Sequence, residues 1–586
     1  ATLAFNGQSS FNGSITGDIA IVKVGTGTTT LNFPAAYTGP TFVVGYLNVA
    51  DTGSILGTSS FDVSRGRLFA INDTGSFYNV SDRFSDTAPI TLRGSQILLS
   101  GRPSSDVSER FGVVTLVEGR NEINVNGGGW NVNSTGIILS GLTRAAGSAA
   151  MLRFNNLASF GQPNGVSILV DGGLALTNGI IGPWAVVDRE FATYDLVAGV
   201  AGLGRGGVSG YSGEGLLSGP LATDNVLVRD TATVTLLEDV SVNTLNFYPS
   251  GNSGTLDLGG YTLTLVGGGL ISAIDGDNRT NTIRNGTITS GLAGGDLYFH
   301  TTNYGGTNRI TNFDAIVADN GAQAVRFITG AGDGGTSVLN VSGVHTYTGG
   351  TVVNRGTFNL GATAVLGTGG LDVVQAAFVQ ILGGVIPPQA LSVGAGSTVT
   401  FANQPNSFTG LTMTNNATLN LTGTTTVTGG VTVTSRDPSR IASLANGVLN
   451  LDNQASAAFA IGAHESNGVN FAPLQPSLNI VSVIENGGIV KSGAGVLQLS
   501  GASTFAGGVS VTAGGLALGG NSNPLSGVVT SGPLGTGVLT MAANTSLITT
   551  GTWTVANDAT FLGDTLFATT STSAQSLTLA GVSTLP

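Results

Sequence analysis

The stretch Glu485–Gly520, ENGGIVKSGAGVLQLSGASTFAGGVSVTAGGLALGG, limits what the rest of the chain can fold into. It holds four short runs of alternating apolar residues, Ile489–Lys491, Val496–Ser500, Val509–Thr512 and Leu516–Leu518, each closed by Gly, Ser, Asn or Ala-Gly. Period-two alternation is the pattern of a half-buried strand, and glycine-rich breaks are the pattern of tight corners. No run is long enough to make a sheet by itself. Each needs a neighbour above or below to bury its inward side chains, the condition met by a coil that stacks on itself.

The whole chain has the composition of such a coil. Of 586 residues 92 are Gly, with no collagen period, while only 9% are charged and 41% are hydrophobic. Low charge with that much apolar content argues against disorder. The expectation is an all-β, repetitive protein. Net charge is −12, and Lys23 and Lys491 are the only lysines, so no basic face is available to neutralise phosphates or an anionic membrane. No nucleic-acid partner and no membrane insertion are expected, the latter because no run of roughly eighteen apolar residues occurs. With Cys 0 there is no disulfide, thiolate or cysteine metal site. The opening ATLAFNG has no basic and apolar leader pattern, and LTLAGVSTLP stops inside a strand-like alternation. The expectation is a processed or partial chain with more residues to follow.

The opening stretch resembles the autotransporter-associated β-strand repeat, roughly GxLxKxGxGxLxLSGxNTYTGGTxVxxGxLxLG. Gly488, Lys491, Gly493, Gly495, Leu497, Leu499, Ser500, Gly501, Phe505, Gly507, Gly508, Val511, Gly514, Leu516 and Leu518 fall on its positions. Phe505 stands where the motif usually has Tyr, and Ala506 where it has Thr. A decayed copy lies near the start, with Lys23, Gly25, Gly27, Leu31, Phe33, Tyr37, Thr38 and Gly39 in register. Pro34 and Pro40 interrupt it and belong at corners or edges, because proline lacks the ladder donor. Another copy is Val338–Gly361, VLNVSGVHTYTGGTVVNRGTFNLG. The resemblance implies a parallel right-handed β-helix, or β-solenoid, in a secreted or surface-exposed bacterial protein, and implies no enzymatic activity.

Between the copies the texture varies. Strand-like runs continue through residues 51–147 with more charge, and SDRFSD and SSDVSER are expected as loops projecting from the coil. Gly179–Gly204 resembles a segment of the form GGWAxxxGxDFAxYD found in large proteins bearing the repeat; Trp184, Ala185, Phe191, Ala192, Tyr194 and Asp195 match it, and Arg189-Glu190 departs from it. Its aromatics suit a knot that caps or decorates a coil. The Gly/Ser-rich Gly199–Gly219 is a hinge or a loop over the core, and the best boundary candidate. The expected organisation is a solenoid with polar loops over 1–150, an irregular junction over 151–221 and a regular solenoid over 222–586. At about twenty residues per coil and ~4.8 Å per rung, twenty-five to thirty coils would make a rod of about 120–140 Å.

Residues that could carry chemistry are few. His300, His345 and His464 lie far apart, in no HExxH or His-x-His spacing. Asp275, Asp277 and Arg279 in SAIDGDNRTN are the densest charged cluster. A glycosidase pair needs carboxyls about 5–9 Å apart, which neighbours two apart on a strand approximate, but DGDN is also a good Asx-turn sequence, and the turn is the preferred reading. Asp224/Asp230 and Glu238/Asp239 are weaker. GAGDGG at Gly330–Gly335 is one fragment of a calcium-binding nonapeptide array and suits a turn better. The Gly127–Gly129 and Gly267–Gly269 triplets lack a following helix to cradle phosphate. Sequons such as Asn12-Gly-Ser14 and Asn340-Val-Ser342 arise readily in a chain this rich in Asn, Ser and Thr. No catalytic, cofactor-binding or metal residue is assigned, and no cofactor is expected. The expected function is a non-enzymatic surface solenoid that self-associates as a filament, stalk, sheath or layer subunit. The alternatives are an adhesin showing residues 51–219 to surface glycans and, third, a polysaccharide lyase or hydrolase. The first eighteen residues and the last strands are expected to be complementary ends.

Overall fold

The computed structural model describes residues 1–72, 78–102, 105–127, 134–155, 165–205, 210–229, 233–249, 253–304, 308–331, 337–402, 405–571 and 574–586. They fall into two compact units, Ala1–Phe358 and Asn359–Pro586. No helix occurs among the described residues. Each unit is a parallel β-helix: short strands pair in parallel with strands one coil further along the chain, as the alternating apolar runs require.

In the first unit Thr2–Asn6 lies beneath Ala20–Val24, which lies beneath Thr41–Val49, which lies beneath Phe61–Ile71. Ile21 faces Thr41 and Thr41 faces Phe61, twenty residues apart each time. The second unit keeps the same spacing from Leu371 to Leu391 to Leu411 to Val431. Elsewhere the coils lengthen: Phe61 faces Ile90, Val107 faces Thr135, and Val509 faces Leu539. A uniform twenty-residue coil therefore overcounts the rungs, because insertions at corners enlarge a coil without adding a rung.

Parallel register places like over like. Leu478, Leu497, Leu516 and Leu547 form one buried column through consecutive rungs. Burying a leucine contributes about 2 kcal/mol, so the column stabilises the stack rung by rung. In the first unit the column is aromatic: Phe299, Phe313 and Phe327 stack at 5.4 and 5.7 Å between ring centres, with Tyr347 6.0 Å from Phe327. At the corners, asparagine supplies ten of the fifteen described non-glycine residues with positive φ, because its short amide tolerates the left-handed region. Asparagines also ladder between coils, as in Asn32 to Asn12 at 2.7 Å and Asn340 to Asn312 at 2.9 Å.

The first unit doubles back on itself. Its first stack ends in three strands, Ala185–Val187, Glu190–Asp195 and Gly199–Gly202, that pair antiparallel with one another. A second sheet starts at Gly213–Glu214 and proceeds through Asn225–Val228. Contacts between the two stacks run in opposite order. Asn246 meets Arg189 and Glu190, His300 meets Pro183, Arg326 meets Gly147, and Arg355 meets Glu122. As one stack climbs, the other descends. Ile180, Val186, Phe191, Leu203, Leu227, Tyr248 and Ile271 form a small apolar core where they meet near the turn.

Two polar stretches differ from the expectation of projecting loops. SDRFSD is a corner whose centre is inside: Arg83 and Phe84 are fully buried. Arg83 donates to the Gly53 carbonyl (2.9 Å), the Asp51 carbonyl (3.0 Å) and Asn72 Oδ1 (2.9 Å). In SSDVSER, residues from Asp106 onward form the strand Asp106–Glu118. There the buried Glu109 accepts the backbone N–H groups of Arg83 and Phe84 at 2.8–3.1 Å. Sequence alone shows the charge of these residues; only stacking shows that the charge serves backbone groups left over at a corner.

Candidate functional site

The motif residues come first, because they are the most specific signal in the sequence. Lys23 and Lys491 are both fully buried. Lys491 Nζ donates to the carbonyls of Gly493 (2.6 Å), Gly495 (2.5 Å) and Ala513 (2.6 Å). Lys23 Nζ does the same to Val24 (2.6 Å) and Gly25 (2.9 Å). Burial lowers the Lys491 ammonium to about 8. Above each lysine the next coil has a glycine of positive φ, Gly45 over Lys23 and Gly514 over Lys491. A Cβ at either would press on the ammonium and the carbonyls beside it. The lysine is a clamp on corner carbonyls.

The aromatic position of the motif behaves likewise. Tyr37 OH bonds Thr41 Oγ1 and Tyr347 OH bonds Thr351 Oγ1, each at 2.5 Å and each buried. The copy with Phe505 has Val509 in the corresponding place, four residues on, and both are buried. Where the phenol is lost the partner hydroxyl is lost with it, so no buried donor is stranded at a cost of about 1–3 kcal/mol.

The histidines are structural in the same sense. His300 donates from Nε2 to the Pro183 carbonyl (2.7 Å) and stands edge-on to Phe191. His345 accepts the Val317 N–H at Nδ1 (3.0 Å) and packs on Phe313 and Tyr347. His464 bonds Ser435 Oγ (2.7 Å) and the Pro476 carbonyl (3.0 Å). Burial lowers His300 and His345 to about 4, and lowers His464 as well. Neutral rings buried on separate coils do not make a catalytic set.

The carboxylates divide. In SAIDGDNRTN, Gly276 and Asn278 have positive φ, Asp277 is exposed, and the next coil seals the corner through Asn308 to Asn278 (2.9 Å) and Arg309 to the Gly276 carbonyl (2.8 Å). That is the turn reading; the Asp275 side chain lies outside what is described. Asp224 accepts the Leu221 N–H (2.8 Å), and Asp239 accepts the Thr262 N–H (2.7 Å) beside an exposed Glu238. Asp230, Gly128 and Gly129, and 332–335 of GAGDGG lie outside the described residues, while Gly267–Gly269 sits within the strand Thr262–Asp275. Asn12 is exposed, whereas Asn340 is half-buried and its amide is engaged with Asn312. Among the described residues, no group of three or more His, Asp or Glu comes together to hold a metal ion.

The feature that sequence reasoning left unassigned is a cavity at the turn-back, about 470 Å³, bordered by Arg189, Glu190, Arg205, Tyr211, Arg229 and Tyr248. Tyr248 is flanked by two guanidiniums: Arg189 at 4.8 Å from the ring centre, also donating to the phenol oxygen at 2.6 Å, and the exposed Arg229 at 5.7 Å. Arg205 lies 3.4 Å from Asp188 and 3.8 Å from Glu190. Glu190 is buried and accepts from Tyr211 OH (2.7 Å) and Asn246 Nδ2 (2.9 Å); burial raises its carboxyl while all three arginines oppose the rise. The aromatic knot positions these groups. Phe191 is buried in the small core, and Tyr194 OH ties the backbone of Val170 at 3.0 and 3.1 Å. Arg189 and Glu190, the pair that departs from the knot's usual form, face the cavity. That departure was the available signal.

Comparison with known proteins agrees with the stacking. The passenger-associated-transport-repeat family matches residues 21–45, 333–360 and 489–518, the segments that carry Lys23, Tyr347 and Lys491. No curated protein and no solved structure matches the chain. The chain is a parallel β-solenoid in which three segments are similar to that passenger-associated repeat.

Proposed function

We propose that the chain is a non-enzymatic structural solenoid of a bacterial cell surface, self-associating as a subunit of a filament, stalk, sheath or layer. One observation carries this reading: the two copies that hold a lysine turn it inward, with Lys23 and Lys491 both buried on backbone carbonyls. These lysines thus serve to close coils. Negative-stain microscopy across a concentration series tests self-association. Rods that lengthen with concentration are expected; single particles at every concentration overturn the filament reading.

A second reading, an adhesin-like passenger that recognises a surface ligand, is favoured by the arginine-bordered cavity at the turn-back. Recognition and scaffolding are compatible in one solenoid, because they use different coils.

A further inference from the structure

We propose that a second cavity at the turn-back binds an amino sugar, with Asp195 and Asp224 taking its ammonium and Thr193 a ring hydroxyl. This names a ligand for the recognition reading and rests on it, and it holds whether or not the chain polymerises.

The second cavity holds about 430 Å³ and adjoins the arginine-bordered one, sharing Leu203 and Gly210 with it. One wall is the strand Glu190–Asp195, and another is Asp224 and Asn225 where the second stack begins. Strand alternation puts Phe191, Thr193 and Asp195 on one face. Phe191 enters the small apolar core, while Thr193 and Asp195 border the cavity.

Several polar groups on this border are already spent on structure. Asn225 Nδ2 donates to the Asn178 carbonyl (2.6 Å), Asn178 Nδ2 donates to Asn243 Oδ1 (2.9 Å), and Ser212 Oγ accepts the Asn225 N–H (2.9 Å). Three groups are left over. Thr193 is only 6% exposed, yet among the described residues its hydroxyl has no hydrogen-bond partner, which a buried polar group rarely lacks. Asp195 uses Oδ1 on the N–H groups of Val197 and Ala198 (2.8 Å each), and Asp224 uses Oδ2 on the Leu221 N–H (2.8 Å). Each keeps its second carboxylate oxygen.

The chemistry of that remainder selects the ligand. Two carboxylate oxygens and a hydroxyl, with no Lys, Arg or His among the described residues on the border, call for hydrogen-bond donors and a positive charge. A bare metal ion does not suit: the volume is that of a site for a small organic molecule, and among the described residues no three His, Asp or Glu converge. A simple amine would leave the hydroxyl and most of the volume unused. An amino sugar carries ammonium and hydroxyls on one ring.

The whole chain is titrated calorimetrically with triglucosamine, at mildly acid pH where its amines are charged, and with its triacetylated form, trilysine and calcium chloride as controls. Triglucosamine is expected to bind one site per chain, more weakly as salt rises, and to be recovered unchanged, while both organic controls bind at least tenfold more weakly and calcium does not displace it. Thr193→Val, nearly the same shape, is expected to weaken binding about tenfold without lowering the melting temperature. Asp195→Asn, whose amide oxygen can keep the turn, should weaken it about as much. Failure of triglucosamine to bind overturns the proposal; hits on a broad glycan array run alongside would leave the recognition reading standing, and an empty array would remove that reading too. Binding that ignores both variants overturns the assignment to this cavity. Equal binding of trilysine overturns the saccharide class, equal binding of the triacetylated form overturns the role of the ammonium, and displacement by calcium overturns the ligand in favour of a cation.

Discussion

Within the stacked repeats, polar side chains look inward and along the chain: Lys491 serves carbonyls two, four and twenty-two residues on, and Tyr347 serves a threonine four residues on. Across the turn-back of the first unit they reach over to the opposing stack. Arg355 reaches Glu122, Asn354 donates to the Ala149 carbonyl, and Asn246 takes both Arg189 and Glu190. A coil repeats, so each polar group meets the same neighbour in the same register and can be served locally. A junction happens once, so its polar groups are served by whatever the facing surface brings. That difference explains why the repeat closes on its own polar groups, whereas the junction gathers side chains from distant coils around a cavity.

Acid probes both regions at once and has the largest expected effect. His300 serves the junction and His345 serves the aromatic column. Both fold with pKa lowered to about 4 from 6.5. The unfolded chain therefore takes up protons first, and stability falls as pH drops from about 6.5 to about 4. The loss is about 3 kcal/mol per ring by pH 4. Thermal melts from pH 7 to pH 4 check the sum, and His300→Gln should remove only the junction's share. A melting temperature that is flat over this window would show that neither ring is held neutral.

The aromatic column comes next. Phe313→Ala removes a ring that contacts Phe299, Phe327 and His345, and a cost of about 3–5 kcal/mol is expected in chemical denaturation of the first unit. The lysine clamp should cost less. Lys491→Ala leaves three carbonyls without their donor, for about 3 kcal/mol. Lys491→Met keeps the buried stem and the packing, so it should be milder by about 1 kcal/mol. The net value of the clamp is small because removing an ammonium from water costs several kcal/mol and offsets most of what its three bonds contribute.

The smallest effect is the most discriminating. Tyr347→Phe or Thr351→Val alone should each cost about 1 kcal/mol, while the double variant, which copies the Phe505/Val509 pair, should cost less than their sum. Additive costs would mean that the two hydroxyls act independently, and the repeat would then not be the self-contained unit described here.

Much of this was legible in advance, and for definite reasons. Strand alternation, glycine corners and the copies of one unit are local patterns, so they read directly into a stacked parallel fold. The turn-like nature of Asp277 and its neighbours was legible because an Asx turn is made by adjacent residues. The position of SDRFSD was not, since Arg83 and Phe84 are buried by coils twenty-five to thirty-two residues away. Nor was the role of Lys491, which sequence marks only as a motif position. The cavity was hidden for the same reason. Arg189, Arg205, Arg229 and Tyr248 share no motif and are brought together by a reversal of the chain.

The sequence by itself determined that this protein is a coil of short parallel strands, because period-two runs too short to stand alone have no other way to bury their apolar faces. Tertiary structure alone decided that the first unit doubles back, which side chains serve corner carbonyls, and which residues border the cavity at the turn-back. Stacking follows from local pattern repeated many times, whereas the meeting of two stacks depends on contacts between residues up to more than two hundred positions apart, which no local pattern encodes.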